Sequence, residues 1–349
     1  MATVDVTVMG AGVLGLACGY ACAARGAKVR VVEWSHPGAG ASGTPVGALS
    51  PHVPERWNDK KAFQLDSLLM GDAFWGGVEQ VSGMSTGYGR VGRYQPIPDE
   101  AALERAHARG VEAETLWQGR AVWQVVAMAT AGAFAPNSPT GLLIHDTLSA
   151  RIAPRAACDA LAAAIVALGG EVSCGAEGPI EGRVIWATGY PGLAMLSAEL
   201  GQQVGSGVKG QAAILAHDAP NAPQIYANGV LIVAHGNGTV AVGSTSERAF
   251  DDPYSTDAQL DEVIARARAV CPALERAEVI ERWAGVRPRA KTIAPMLGHW
   301  PGRAGHFVAN GGFKIGIGLA PKVGQVMADL VLEGRADDIP ESFRVEASL

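Results

Sequence analysis

Three glycines and one carboxylate near the start of the chain have the spacing of a dinucleotide-binding site. Gly10, Gly12 and Gly15 form a G-x-G-x-x-G pattern between two apolar runs, and Glu33 follows the second run. The first glycine permits a tight turn, the second lets a pyrophosphate approach the backbone, and the third lets a helix lie close to the sheet. A carboxylate at that distance accepts hydrogen bonds from a ribose hydroxyl. The pattern therefore predicts a strand, a glycine turn, a helix and a second strand that bind a dinucleotide.

A second candidate site lies in the segment that follows Glu33. Residues 37–49 are rich in glycine, alanine and serine, so their backbone amides can approach a ligand closely. The segment leaves the end of a predicted strand, where dinucleotides bind in such folds. A flexible linker is the alternative interpretation, and the position of the segment favours a ligand-binding loop.

Helical and strand-like patterns alternate along the rest of the chain. Amphipathic or alanine-rich patterns predict helices, and short apolar runs between turn residues predict strands. Helices are predicted at 59–82, 99–109, 154–168, 257–270 and about 321–333, and strands at 171–173 and 183–186, within 115–135 and within 207–250. The last helix follows a glycine-rich run and is expected to begin near Pro321. The dinucleotide fold is therefore expected to be interrupted, with later segments returning to its first βαβ unit.

Composition and charge exclude several classes of protein. The 349 residues include five cysteines, an odd number without a C-x-x-C pair, so neither a disulfide framework nor a metal site is predicted. The formal net charge of −6 comes without a basic patch, which argues against nucleic acid as a partner. No apolar run approaches the length of a membrane span, and the first strand begins too early for a cleavable leader. A cytoplasmic enzyme is expected, and an oligomer is compatible with the sequence.

Four separated motifs give the chain a resemblance to the D-amino-acid oxidase superfamily of FAD-dependent oxidoreductases, and most of all to its glycine oxidase-like members. The motifs are the N-terminal fingerprint with Glu33, the loop 41–49, the strand and turn at 185–189, and residues 283–288 with the closing segment 305–321. Each motif alone is weak evidence. All four together are strong evidence, because they occur in the order of the family and extend over nearly the whole chain.

The resemblance implies an α/β fold of the α+β two-domain type, with the architecture of glutathione-reductase-like flavoproteins. An interrupted Rossmann-type domain would bind FAD, and a second domain rich in β-sheet would bind the substrate. The expected FAD-binding domain comprises residues 1–55, 140–205 and 285–349, and the expected substrate-binding domain comprises 56–139 and 206–284. The FAD is expected to be noncovalent, because no cysteine occurs in 283–321, where some relatives attach it.

The resemblance also assigns roles to individual residues. Arg287, in a W-x-G-x-R-P motif, is expected to bind the carboxylate of the substrate, because a guanidinium group holds a carboxylate with two parallel hydrogen bonds. Without the resemblance, a structural ion pair is an equal interpretation of this arginine. Gly312, Lys314 and His52 are further candidates for the substrate site, and a local hydrogen bond in the loop is the alternative for His52.

The same resemblance predicts which residues contact FAD. They are Gly10, Gly12, Val13, Leu14, Gly15, Glu33, Trp34, Ala41, Ser42, Gly43, Gly47, Ala48, Leu49, Ala187, Thr188, Gly189, Arg287, Gly311, Gly312, Phe313, Lys314, Ile315 and Gly316. The amides of 316–319 and a helix N-terminus near Pro321 are expected to stabilise negative charge on the reduced flavin.

One position departs from the pattern of the family. Relatives place a substrate-holding tyrosine in the β-rich segment, where this chain has Leu231. Leucine cannot donate a hydrogen bond, so the pocket is expected to be more apolar or to use another donor. Tyr226 and His235 are nearby candidates, for which a role in the core or at the surface is the alternative. The segment 170–183 is also short, which leaves the contacts to the adenine undefined.

By this resemblance, the expected activity is FAD-dependent oxidation of a small amino acid or amine, of the glycine, sarcosine or D-amino-acid type. Hydride would pass from the substrate to flavin N5, and oxygen or another acceptor would reoxidise the flavin. Two alternatives stay open: a module that acts on a modified tRNA base, and a flavin-binding protein without amine turnover. The acidic charge counts against the first alternative, and Leu231 is the observation that suggests the second.

Overall fold

Two large β-sheets contain most of the strands in the computed structural model, which describes residues 4–175 and 178–349. The strands are β1 (Val6–Met9), β2 (Val29–Glu33), β3 (Ala48–Leu49), β4 (Arg93–Pro96), β5 (Trp123–Ala127), β6 (Leu142–Asp146), β7 (Ala150–Arg151), β8 (Glu171–Cys174), β9 (Arg183–Trp186), β10 (Gly205–Ala216), β11 (Gln224–Ala227), β12 (Val230–Ala234), β13 (Thr239–Gly243), β14 (Val279–Ala290), β15 (Met296–His299) and β16 (His306–Asn310). The helices are α1 (Val13–Ala23), α2 (Asp59–Leu69), α3 (Gly71–Ser82), α4 (Glu100–Leu116), α5 (Pro154–Ala167), α6 (Gly189–Leu200), α7 (Ala258–Val270) and α8 (Gly316–Ala328).

The six-stranded sheet forms the dinucleotide half of the fold. Its order is β15-β16-β9-β1-β2-β8, and all its strands are parallel except β15, which pairs antiparallel with β16. Helix α1 packs between α5 and α8. Because the carboxyl ends of parallel strands meet at one edge, the residues that end β1, β2, β9 and β16 lie together. This edge is where ligands bind in open α/β sheets.

The eight-stranded sheet, in the order β14-β10-β13-β12-β11-β4-β6-β5, has two different faces. Helix α7 covers one face, where its apolar side chains pack against Ala213, Ile232 and Val242. Side chains alternate between the faces along a strand, and cross-strand partners share a face. The register therefore places Leu231 and Arg287 on the face opposite α7.

This architecture agrees with the fold class predicted from the sequence, and most predicted elements are confirmed. The helix predicted at 59–82 is two helices, α2 and α3, which meet at Met70. Helix α4 continues to Leu116, so the strand character predicted within 115–135 is confined to β5.

The start predicted for the last helix was wrong. Helix α8 begins at Gly316, and Pro321 lies inside it. Proline has no backbone N–H to donate inside a helix, whereas in the first turn of a helix that N–H has no partner anyway. This is why the sequence predicted a helix that begins at Pro321. Helix α8 is largely buried against α1 and α2, and that packing stabilises the helix on both sides of the proline.

The division into domains stays a prediction. Strand β6, inside the range 140–205 expected for the FAD-binding domain, lies in the eight-stranded sheet, and β14 crosses the expected boundary at 285. Residues 176–177, within the short segment 170–183, lie outside the described residues.

Two further findings concern the described residues as a group. None of their helices is long and apolar enough to cross a bilayer. Within 4–175 and 178–349, no group of three or more His, Cys, Asp or Glu side chains could hold a metal ion.

Helices α1 and α8 approach each other closely at Gly324. A Cβ on this residue would lie 2.7 Å from the carbonyl oxygen of Ala17. We expect Gly324→Ala to lower the free energy of unfolding by about 1–3 kcal/mol, because backbone rather than a flexible side chain must shift. Denaturant or thermal unfolding of the purified protein measures the change.

Gly76 in α3 provides the matched control, because it is exposed and a Cβ there would meet nothing within 4 Å. Gly76→Ala is expected to be neutral or to stabilise the protein by up to about 1 kcal/mol, since alanine has the higher helix propensity. Unchanged stability of the Gly324→Ala protein would contradict the close packing of α1 on α8.

Candidate active site

The turn after β1 is built from backbone that approaches other backbone too closely for side chains. Gly10 has a φ of +102°, and a Cβ there would lie 2.6 Å from the carbonyl oxygen of Ala187. A Cβ on Gly15 would overlap the carbonyl oxygen of Gly10. The glycines predicted from the motif therefore let α1 and the end of β9 close around the turn.

Two side chains predicted to bind the cofactor make hydrogen bonds at the N-terminus of α1. Glu33 Oε2 accepts a hydrogen bond from the amide of Ala11 at 2.8 Å, and Ser42 Oγ accepts one from the amide of Val13 at 2.9 Å. Amides in this position are the groups that bind a phosphate. Trp34, which was also predicted to contact FAD, is 78% exposed.

The loop 41–49 is fixed by contacts on both sides. Arg155 Nε donates a hydrogen bond to the carbonyl oxygen of Gly43 at 2.8 Å, and His235 Nε2 lies 3.0 Å from the carbonyl oxygen of Pro45. A Cβ on Gly47 would overlap the carbonyl oxygen of Ile152. The loop begins with a 3₁₀ turn at Ala41–Gly43 and ends in β3, which pairs with β7. These contacts argue against the flexible linker that was the alternative interpretation.

The ends of β9 and β16 are tied to each other. Asn310 Nδ2 donates a hydrogen bond to the carbonyl oxygen of Gly189 at 2.8 Å. The hydroxyl of Thr188 is buried and has no hydrogen-bond partner in the described part of the chain. An orphaned buried hydroxyl at this edge fits a polar ligand, because such groups are otherwise costly to bury.

The segment 311–316 joins the two sheets. The amide of Phe313 donates a hydrogen bond to the carbonyl oxygen of Pro288 at 3.0 Å. A Cβ on Gly312 would lie 2.8 Å from the Cα of Gly316 and 3.2 Å from the side chain of Leu14. The closing segment therefore lies against α1 on one side and against β14 on the other.

Lys314 in this segment is exposed, and its charge lies within range of the charge of Arg287. Partial burial lowers the pKa of Lys314 from its ordinary value, and the positive charge of Arg287 lowers that pKa further. The charges of two residues predicted for the substrate site are thus close enough to influence each other.

The side chain of Arg287 is held by three acceptors. Its Nη1 donates hydrogen bonds to the carbonyl oxygens of Lys209 at 3.4 Å and Thr245 at 3.3 Å, and its Nη2 donates to Ser244 Oγ at 2.7 Å. Within the described residues, Nε and the second N–H of Nη2 have no hydrogen-bond partner. Burial lowers the pKa of Arg287 to about 10, against the effect of the nearby charge of Glu247, so the guanidinium stays charged at neutral pH.

Three glycines lie on the same face of the sheet as this guanidinium, and we call Gly210, Gly243 and Gly285 the glycine floor. Gly210 pairs with Gly285 across β10 and β14, and a Cβ on Gly210 would overlap the guanidinium of Arg287. A Cβ on Gly243 would lie 2.8 Å from the side chain of Val46 in the loop 41–49. The glycine floor therefore places Arg287 and this loop on the same side of the eight-stranded sheet.

Leu231 lies at the edge of the glycine floor. It pairs with Gly243 on one side and with Tyr226 on the other, so all three residues share this face. Tyr226 is 43% exposed, and the Nε2 of His235 is directed at the loop 41–49. Among the described residues, neither of these two candidates is a hydrogen-bond partner of Arg287.

His52 is held against α2 rather than against the glycine floor. Its amide donates a hydrogen bond to Gln64 Oε1 at 2.8 Å, and its Nδ1 is bonded to the same oxygen. Burial lowers the pKa of His52, and the hydrogen bond to Gln64 opposes this shift. The geometry favours the local hydrogen bond that was the alternative interpretation of this histidine.

Sequence reasoning missed three residues around Arg287, namely Gly210, Ser244 and Thr245. Gly210 lies in β10, Ser244 and Thr245 directly follow β13, and they meet Arg287 only through the register of β10 with β13 and β14. No motif or local spacing along the chain indicates such a meeting.

The chain is similar to known proteins over nearly its whole length. The family model described as DAO, FAD dependent oxidoreductase, matches residues 5–330. Glycine oxidase of Geobacillus kaustophilus (strain HTA426) is 28% identical over 370 residues, which cover 94% of this chain and 92% of that protein. Two crystal structures share the fold. Glycine oxidase from Geobacillus kaustophilus has a TM-score of 0.84 and 24% identity over 98% of both chains. Iminodiacetate oxidase from Chelativorans sp. BNC1 has a TM-score of 0.81 and 23% identity over 97% of this chain and 98% of that one.

The family predicted from the four motifs and its cofactor, FAD, are therefore confirmed. The match includes both the glycine turn and the strand that carries Arg287. This chain belongs to the DAO family of FAD-dependent oxidoreductases.

Proposed function

We propose that this FAD-dependent oxidoreductase oxidises a small amine that carries a carboxylate, of the glycine, sarcosine or D-amino-acid type, to the corresponding imine. The observation that carries the proposal is the charged guanidinium of Arg287 on the glycine floor, facing the same side as the loop 41–49. The similarity to glycine oxidase supports the same substrate class. When bound, FAD supplies the two-electron oxidation, and oxygen or another acceptor restores its oxidised form.

The residues at the glycine turn fit the diphosphate and ribose of FAD. Gly10 and Gly15 lie where a Cβ would overlap or crowd neighbouring backbone, so these two positions of the turn carry no side chain between the backbone and a ligand. In this proposal the amides that begin α1 bind the pyrophosphate, and Glu33 accepts hydrogen bonds from the ribose. The orphaned hydroxyl of Thr188 supplies a further polar contact at the same edge.

Arg287 fixes the orientation of the substrate in this proposal. Its unpartnered Nε and Nη2 hydrogens are the two donors with which a guanidinium binds a carboxylate bidentately. Holding the substrate at one end sets the position of its Cα–H, and such positioning lowers the barrier of a reaction substantially. Lys314 adds a second positive charge that attracts a carboxylate toward the glycine floor.

The N-terminus of α8 is the second electrostatic feature of the proposal. Helix α8 begins at Gly316 and has no acidic residue in its first turn, so its positive end is not neutralised locally. The closing segment brings this helix end to the same edge as Gly312 and α1. We propose that it stabilises the negative charge that develops on the cofactor during reduction.

The proposal predicts that a carboxylated amine bleaches the visible absorbance of the purified holoprotein under anaerobic conditions. Glycine, sarcosine, proline and a panel of D-amino acids are added separately, and methylamine serves as the control without a carboxylate. Loss of the oxidised flavin band with one or more of the acids, and not with methylamine, is the expected result. A flavin spectrum that no member of the panel changes would contradict the substrate class.

Replacing the arginine tests the contact to the carboxylate directly. We expect Arg287→Leu to lower kcat/KM for the best substrate at least about 100-fold, because two charge-assisted hydrogen bonds contribute about 1.5–3 kcal/mol each. The flavin content of the purified protein, measured by absorbance, is expected to stay the same.

Arg282→Leu is the matched control, since Arg282 is exposed on the same strand and points to the opposite face. Steady-state kinetics of the two variants are compared. Equal kcat/KM values for the Arg287→Leu protein and the parent would reject the carboxylate contact.

The lowered pKa of Arg287 predicts how carboxylate binding depends on pH. The pKa is about 10 rather than the ordinary 12.5, so the positive charge is complete well below pH 10 and is lost as the pH rises through that value. The Kd of glycolate, which has no amine to titrate, is expected to be constant from about neutral pH to about pH 9. It should then rise about tenfold per pH unit above about pH 10.

Titrations that follow the flavin absorbance give this Kd, and circular dichroism checks that the protein stays folded. In Arg287→Leu the rise above about pH 10 should be absent. A parent Kd that does not change across this range would show that the guanidinium charge does not bind the carboxylate.

A further inference from the structure

The hydroxyl of Ser244 lies directly against the guanidinium that is proposed to bind the substrate. Its Oγ accepts a hydrogen bond from Arg287 Nη2 at 2.7 Å, and the residue is half-buried. A serine hydroxyl accepts and donates at the same time. Because the oxygen is already an acceptor here, its proton is available to a further acceptor beside the arginine.

The register of the large sheet places this hydroxyl next to the position that departs from the family pattern. Leu231 pairs with Gly243, which is the residue directly before Ser244. Leucine offers no donor, and the hydroxyl of Ser244, one residue beyond the strand partner of Leu231, is a donor that could replace it. Neither Tyr226 nor His235 has a hydrogen bond to Arg287 within the described residues, whereas Ser244 does.

The segment that carries Ser244 is held in place by β10. Gln211 donates its amide to Thr245 Oγ1 at 2.8 Å and accepts the amide of Thr245 on its carbonyl oxygen at 3.3 Å. Lys209 and Glu247 exchange two further backbone hydrogen bonds, each of 2.9 Å. The position of Ser244 is therefore fixed on its C-terminal side by sheet-like pairing, and on its N-terminal side by β13.

We infer that Ser244 binds the carboxylate of the substrate together with Arg287, as the donor that Leu231 cannot provide. The inference rests on the proposed function, because it needs a carboxylate at Arg287. An ionised carboxylate accepts about four hydrogen bonds. Arg287 Nε and Nη2 donate two of them, and Ser244 Oγ donates a third from the side of β13. The substrate contact is thus shared between β14 and the segment that directly follows β13.

Ligand binding tests the inference without any requirement for turnover. The holoprotein is titrated with glycolate, and the change in flavin absorbance gives the Kd for the parent and for Ser244→Ala. Loss of one hydrogen bond to a charged group is expected to raise the Kd roughly 10- to 100-fold. Ser246→Ala, at an exposed serine two residues further along the same segment, is expected to leave the Kd unchanged.

A second pair of variants separates direct contact from support of the arginine. Arg287→Lys keeps the positive charge and removes the guanidinium that Ser244 contacts. If the hydroxyl touches the carboxylate, adding Ser244→Ala to Arg287→Lys raises the Kd again, by roughly 10-fold or more. If the hydroxyl acts only through the guanidinium, the second change has no effect, and the inference is overturned.

The titrations also distinguish failure of this inference from failure of the proposed function. A raised Kd in Arg287→Lys with an unchanged Kd in Ser244→Ala overturns only the role of Ser244. A Kd that Arg287→Lys leaves unchanged, or a parent protein that binds no glycolate, contradicts the proposed carboxylate site itself. Thermal unfolding of each variant confirms that it is folded before the titration.

Discussion

The partial burial of one positive charge, that of Arg287, is the constraint on which its surroundings in the eight-stranded sheet depend. Removing a guanidinium from water costs several kcal/mol unless other polar groups replace its hydration. For Arg287, two backbone carbonyls and one hydroxyl replace it. They can reach the guanidinium only because position 210 is glycine, where a side chain would overlap it. The pairing of β10 with β14 therefore decides the surroundings of the arginine, since the register places the carbonyl oxygen of Lys209 against it.

Side chains on the opposite face of β10 hold the segment that contacts Arg287 in place. Gln211 Nε2 donates hydrogen bonds to Glu247 Oε1 at 3.1 Å and to Asp257 Oδ1 at 2.9 Å. Lys209 Nζ lies 3.8 Å from Glu247 Oε2, and both side chains are nearly buried. A buried charge pair is costly to break, because the remaining partner is left unpaired. The segment after β13 is thus held by charges on one face of the sheet while it holds Arg287 on the other.

The two halves of the site differ in how much of them the sequence predicts. The dinucleotide half has a local signal, because Gly10, Gly15 and Glu33 lie within one βαβ unit whose geometry is nearly invariant. The proposed substrate site around Arg287 depends on sheet register, which a single sequence does not specify for distant strands. Arg287 was predicted only through the resemblance to a family, and the partner Ser244 was missed. The start of α8 was wrong for a related reason, since packing against α1 and α2 stabilises the helix across Pro321.

The bond from Phe313 to Pro288 has a mechanical consequence. It joins the residue after Arg287 to the segment that leads into α8, and a β-bridge between Arg289 and Gly312 lies directly beside it. A hinge between the two sheets at this point would have to break both links. The strand that carries Arg287 and the segment that leads into α8 are therefore expected to move together as one body.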